Sequence, residues 1–202
     1  MFLAFTGFLY ISNLARLVVL LILLGLAFSE LLQVIRRRKH GQNSTALTVY
    51  FVLFGAAFLH IYVIGTAYKP QAVSLLITLC FTTVLADVTA FFMGNYLGKH
   101  KLPAALNDRK SWEGAMGQVA GALLGVVLVN AYVIHVPSLW LFLPIGAGSA
   151  AGDLANSYVK RLAGIKDWSD NIPGHGGYLD RFSSLAGSAV FMLCYLKLTG
   201  LV

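Results

Sequence analysis

A chain of 202 residues that is 58% apolar and 11% charged, with a mean hydropathy of +0.75, is composed for lipid, which argues against a water-soluble fold. Its length allows roughly six spans of about 20 residues with short connections, so a single integral membrane domain over residues 1–202 is expected. The net charge of +7 would suit nucleic acid, but basic residues beside spans normally set orientation, and no nucleic-acid partner is expected.

Apolar runs at about 14–35, 46–67, 72–97, 114–135, 139–157 and 182–198 predict an all-α polytopic membrane protein of about six transmembrane helices. Arg16 and the following run to Ala27-Phe28-Ser29 imitate a cleavable signal peptide. Residues 2–10 are already apolar, however, and the run continues to Arg36-Arg37-Arg38-Lys39, as a retained span would. That cluster reads as a topology anchor, with anionic-lipid contact as the alternative, and residues 40–45 read as a polar hairpin. The connections after the first, third and fifth runs each hold four Lys or Arg, twelve together against Arg16, Lys69 and Lys197 elsewhere. The positive-inside rule places these three connections in the cytoplasm and both termini outside. Cys80 and Cys194 fall in apolar runs, match no metal or redox spacing, and read as small core hydrophobes.

Carboxylates inside a bilayer are costly and each demands a reason. Glu30 lies a turn or two from the arginine cluster and reads as interfacial. Asp87 sits mid-run among threonines, either as a functional group or as a hydrogen-bond partner for a neighbouring helix. Asp153 is more informative: on a helix, Ser157, Lys160 and Arg161 fall at about 40°, −20° and 80° from it, one polar face leading out to the surface. Such a stripe suits a metal at one end and phosphates at the other. The small-residue run 146–152 before it favours close helix packing, and a pairing of protomers through that helix is a further expectation.

Residues 166–181 follow, dense in charge and glycine, with backbone N–H groups and His175 available to an anion and Asp180 at the start of the last span, able to meet Asp153 over a cation. The earlier connection, with Lys99, Lys101, Arg109 and Lys110, repeats the pattern of cations beside a helix start, and Ser111-Trp112-Glu113 reads equally as a helix cap.

Ser157-Tyr-Val-Lys160-Arg161, Lys166-Asp167, Pro173-Gly-His175-Gly-Gly and Asp180-Arg181 together resemble the C-terminal signature of the phosphatidate cytidylyltransferases, the CDP-diacylglycerol synthases. Ala86-Asp87, the 94–102 segment with Lys99, and Lys110-Ser111-Trp112-Glu113-Gly114 resemble that family's other recurrent stretches, so residues 1–70 read as two leading spans and 71–202 as the family-like core. The resemblance implies transfer of CMP from CTP to phosphatidic acid in a membrane, releasing pyrophosphate, with magnesium as cofactor and a second cation beside it as an open alternative. It implies Asp153 and Asp180 as metal ligands, Lys160, Arg161, Lys166 and Asp167 as further catalytic residues, and Asp87, Lys99, Lys110, Glu113, Ser157, His175 and Arg181 as substrate-binding. A bacterial inner membrane with the site facing the cytoplasm is the expected location.

The chain departs from the family pattern in three ways. Asp180-Arg181-Phe182 is followed by Ser183 where the family has a last aspartate, Asn95 stands where an arginine is frequent, and family members are commonly longer at the N-terminus. A helical 180–184 would turn Ser183 to the same side as Asp180 and deprive the site of a charge. The competing readings are therefore a catalytically degenerate nucleotide- or lipid-binding relative, a CTP-dependent polyprenol-type kinase, and an ion-coupled transporter using Asp87 and Asp153.

Overall fold

The computed structural model of the chain describes residues 12–37, 44–103, 110–172 and 176–201. Among the described residues the architecture is all-helical: α1 Asn13–Arg37, α2 Ser44–Ala67, α3 Ala72–Tyr96, α4 Trp112–Tyr132, α5 Phe142–Leu162 and α6 Tyr178–Thr199, with a 3₁₀ turn Leu139–Leu141 leading into α5. Five of these are long and apolar enough to cross a membrane. The other is α5, as long as α4 but broken in hydropathy by Asp153, Lys160 and Arg161. The protein is a polytopic all-α membrane protein with this more polar helix packed against α4 and α6. Its outer faces carry Leu21, Val52, Leu53, Phe92, Leu123 and Val127, the exposed apolar side chains that a lipid-facing surface requires.

Small residues set the closest packing. In the α3–α4 pair, Gly117, Gly121 and Gly125 of α4 lie against Ala90, Thr89 and Thr82 of α3 so closely that a Cβ at Gly125 would stand 2.8 Å from the Thr82 Cα. In the α5–α6 pair, a Cβ at Gly148 would stand 2.5 Å from the Gly187 carbonyl oxygen, and one at Gly152 only 3.2 Å from the Gly187 Cα. Gly146 lies equally close to Val119 of α4. The glycines of the small-residue run thus pack within the chain, while Ala151 is exposed. α6 is the central helix, packed on α5, α2, α3 and α1, and its buried Leu185, Ala189, Met192 and Leu196 join the main core.

The element ends sharpen the sequence reading. α6 begins four residues before the apolar run because Asp180 reaches back to accept the Gly177 N–H at 3.1 Å, the N3 half of a capping box. α5 continues past its apolar part to Leu162 and stops at Gly164, whose φ of 60° and the bonds Gly164 N–H to Arg161 O and Ile165 N–H to Lys160 O make a Schellman motif. Ser44 already belongs to α2, so the expected hairpin is shorter, and residues 38–43 lie outside the described ones. Cys80 is buried as expected, whereas Cys194 is exposed on α6.

Candidate active site

The ends of α1, α3 and α5 and the starts of α2, α4 and α6 meet at one end of the bundle. There a cavity of about 630 Å³ opens, lined from α3, α4, α5, α6 and the connections between them. Asp87, Lys110, Asp153, Ser157, Lys160, Arg161, Lys166, Asp167, Asp180 and Arg181, all singled out from the sequence, line it together. Lys101 joins them, so six cationic side chains face four carboxylates in one concavity. That balance suits a polyanion.

The floor is Asp87, whose Oδ1 accepts from Ser149 Oγ of α5 at 3.1 Å and from Gln118 Nε2 of α4 at 3.4 Å, while Gln118 also donates to Ser149. The neighbouring threonines bond back to their own helix instead, Thr83 to the Leu79 carbonyl and Thr89 to the Leu85 carbonyl. Asp87 therefore ties three helices together and faces the cavity as well.

Asp153 and Asp180 differ in their surroundings. Asp153 is partly exposed and ion-paired through Oδ2 with Lys110, whose Nζ also donates to the Asp153 carbonyl oxygen at 3.1 Å. Asp180 is nearly enclosed, and both of its oxygens carry two donors. Oδ1 accepts from Lys160 Nζ at 2.5 Å and Asn156 Nδ2 at 3.3 Å, Oδ2 from the Trp168 and Gly177 N–H groups at 3.0 and 3.1 Å. Asn156 in turn accepts from the Trp168 indole at 2.7 Å and the Tyr50 hydroxyl at 3.1 Å, and the Tyr50 and Trp168 rings stack 5.8 Å apart at 6°. Trp168, in the loop after α5, is thereby held against α2, α5 and α6.

A family model described as the cytidylyltransferase family matches residues 1–199. The chain belongs to that family. Among curated relatives, the phosphatidate cytidylyltransferase of Brucella abortus is 34% identical over 161 residues, covering 78% of this chain and 58% of the relative. That of Pseudomonas aeruginosa is 39% identical over 124 residues, 59% of this chain and 46% of the relative. Phosphatidate cytidylyltransferase 5, chloroplastic, of Arabidopsis thaliana is 33% identical over 132 residues, 63% and 33%. The chain thus spans about half the length, or less, of these relatives.

Within this cytidylyltransferase fold, Lys99 and Glu113 are not among the lining residues. Lys99 is exposed beside the end of α3. Glu113 accepts the His100 N–H and meets His100 Nδ1 at 2.6 Å, closing the base of the connection whose ends pair as an antiparallel bridge between Lys101 and Ser111. Ser111 caps α4 by accepting the Gly114 N–H, so the capping reading of that motif holds. His175 and Arg109 lie outside the described residues.

Ser183 is buried and absent from the lining. Its Oγ bonds the Asp180 carbonyl oxygen at 3.5 Å, and its own carbonyl abuts Gly152 in the α5–α6 contact, while Ser184 faces the cavity. Helical spacing placed Ser183 on the side of Asp180, yet it is Ser184 that lines the cavity in this chain.

Asn156, Gln118, Lys101 and Trp168 were not read as site residues from the sequence. Asn156 precedes Ser157 by one residue and had a signal, an amide inside a span; Gln118 had the same.

Glu30 corrects the interfacial reading outright. It is 0% exposed on α1, with Oε1 accepting from Ser169 Oγ at 2.6 Å, the Tyr178 N–H at 2.8 Å and Asn171 Nδ2 at 3.1 Å, and Oε2 accepting the Leu179 N–H at 3.1 Å.

For magnesium, the donor chemistry fits in part. Among the described residues no three His, Cys, Asp or Glu side chains stand together as a self-sufficient metal cage. Magnesium instead commonly takes one or two carboxylates and completes its shell with water and substrate phosphates. Asp153, with one oxygen engaged by Lys110, suits that role, whereas Asp180 joins only if Lys160 lets go of Oδ1.

Proposed function

We propose that the protein is a CTP-dependent phosphatidate cytidylyltransferase, converting CTP and phosphatidic acid to CDP-diacylglycerol and pyrophosphate at one membrane face. The observation that carries this reading is the cavity at the bundle end, where the signature residues Lys160, Arg161, Lys166, Asp167, Asp180 and Arg181 stand together with Asp87, Lys101, Lys110 and Asp153, six cations and four carboxylates in all. A lipid phosphate oxygen is already ionised at neutral pH, so it attacks the α-phosphorus of CTP without a general base. The bond between the α-phosphorus and its bridging oxygen to the β-phosphate breaks, and pyrophosphate leaves.

Catalysis then reduces to alignment and charge neutralisation. Lys110, Lys160, Arg161, Lys166 and Arg181 bind the phosphates and offset charge developing on the leaving group, while Ser157 and Asn156 orient them. Asp153, joined by Asp180 after exchange of Lys160, would hold magnesium, which when bound supplies further neutralisation of the triphosphate. Asp87 keeps α3, α4 and α5 in register beneath the reacting groups. The remaining expectations, His175 as a phosphate donor, a bacterial inner membrane and a cytoplasm-facing cavity, belong to the same proposal.

Label transfer tests it. With purified protein, magnesium and phosphatidic acid, α-phosphate-labelled CTP is expected to deliver its label to the lipid and γ-labelled CTP to release it as pyrophosphate. Label from γ-CTP in the lipid would establish a kinase instead, and absence of both would leave a binding protein.

A further inference from the structure

The first two helices lie outside the signature-bearing core, yet α1 sends a carboxylate into the loop that carries it. Glu30 collects four donors in a site with no solvent exposure. Two are first-turn N–H groups of α6, Tyr178 and Leu179, which a helix start leaves without internal partners, and a negative charge there also opposes the positive end of the helix. The other two, Ser169 and Asn171, belong to the preceding loop. One carboxylate thus fastens Ser169 and Asn171 to Tyr178 and Leu179, beside Trp168, Gly177 and Asp180.

A second observation comes from Gly177. Its φ of −93° is open to any residue, so backbone conformation does not require glycine there. Space does: a Cβ would stand 2.6 Å from Glu30 Oε2 and 2.8 Å from Oε1. A side chain at Gly177 would therefore press on the Glu30 carboxylate, which its four donors hold in place.

We propose that Glu30 is a positioning residue that fastens residues 169–171 to the start of α6, and through that start sets Asp180 in the position nucleotidyl transfer needs; this rests on the functional reading above. Glutamine in its place keeps the volume but turns an NH₂ toward at least one donor, breaking the set.

The test uses the full-length protein in detergent or vesicles. In Glu30→Gln, amide hydrogen exchange at Tyr178 and Leu179 should rise about tenfold while α3 and α4 stay protected. The kcat with CTP and phosphatidic acid should fall about tenfold to a hundredfold, and the KM for the lipid should stay within about twofold. Gly177→Ala, which presses on the same carboxylate from the other side, should reproduce both changes. Unchanged exchange at those two amides, unchanged kcat, or exchange raised equally in all six helices would overturn the proposal. A wild-type protein that transfers no nucleotide would instead contradict the functional reading, and the exchange result would still decide whether Glu30 holds the loop.

Discussion

Asp180 is held by four hydrogen bonds and one of them comes from a lysine that is itself mostly enclosed, so its charge is built into the fold as well as into the cavity. Asp180→Asn should therefore cost about 2 kcal/mol of stability in a thermal melt, in addition to abolishing turnover, because it leaves Lys160 without its counter-charge. Ser183 makes the opposite case. It is 2% exposed and packed into the α5–α6 contact, so Ser183→Asp buries a carboxylate beside a carbonyl oxygen at a cost upwards of about 2 kcal/mol. The expected result is a lower melting temperature with no gain in CDP-lipid; activity appearing only in that variant would mark the natural chain as degenerate. At this scale the sequence was legible where polar residues recur on one helix face, as with Asp153, Ser157, Lys160 and Arg161. It was not legible for Glu30, whose partners Ser169 and Asn171 lie about 140 residues away. Nor did helical spacing reveal that Ser183 faces a neighbouring helix, since spacing orders residues around an axis without saying what stands opposite each.

The helix pairs owe their closeness to glycine. A Cβ at Gly152 would stand 2.2 Å from the Ser183 carbonyl oxygen, and α5 and α6 can accommodate it only by separating. Gly152→Ala should then lower the melting temperature and reduce turnover together, since Asp153 and Asp180 sit on the two helices being parted. Gly25→Ala, where nothing lies within 4 Å, should leave both unchanged and serves as the control. An unaffected Gly152→Ala protein would contradict the packing account. The hydropathy runs located five helices because a span must be apolar over its length, and α5 through its apolar first part. They missed the ends of α5 and α6 because those turns are polar, closed by a Schellman glycine and by the Asp180 cap rather than by loss of hydrophobicity.

Across the whole molecule, the helices divide into two kinds of contribution. α3, α4, α5 and α6 line the cavity, while α1 and α2 brace it from behind through Glu30 and Tyr50. Dividing the chain into two leading spans and a core captures where the signature lies but not what holds it, because bracing contacts form between segments far apart in sequence. The charge distribution predicts that the ends of α1, α3 and α5 lie on one side, since basic residues collect on one side of a membrane, and these ends do meet beside the cavity. The central claim is that this cavity carries out nucleotidyl transfer with Asp153 at its reacting end. It is tested most directly by following α-phosphate-labelled CTP into lipid with wild type and Asp153→Asn side by side, in the presence of phosphatidic acid and magnesium. The account predicts labelled CDP-diacylglycerol from the wild type and a loss of about a hundredfold or more in the variant, with its melting temperature nearly unchanged. Equal label in the two proteins, or none in the wild type, would contradict it.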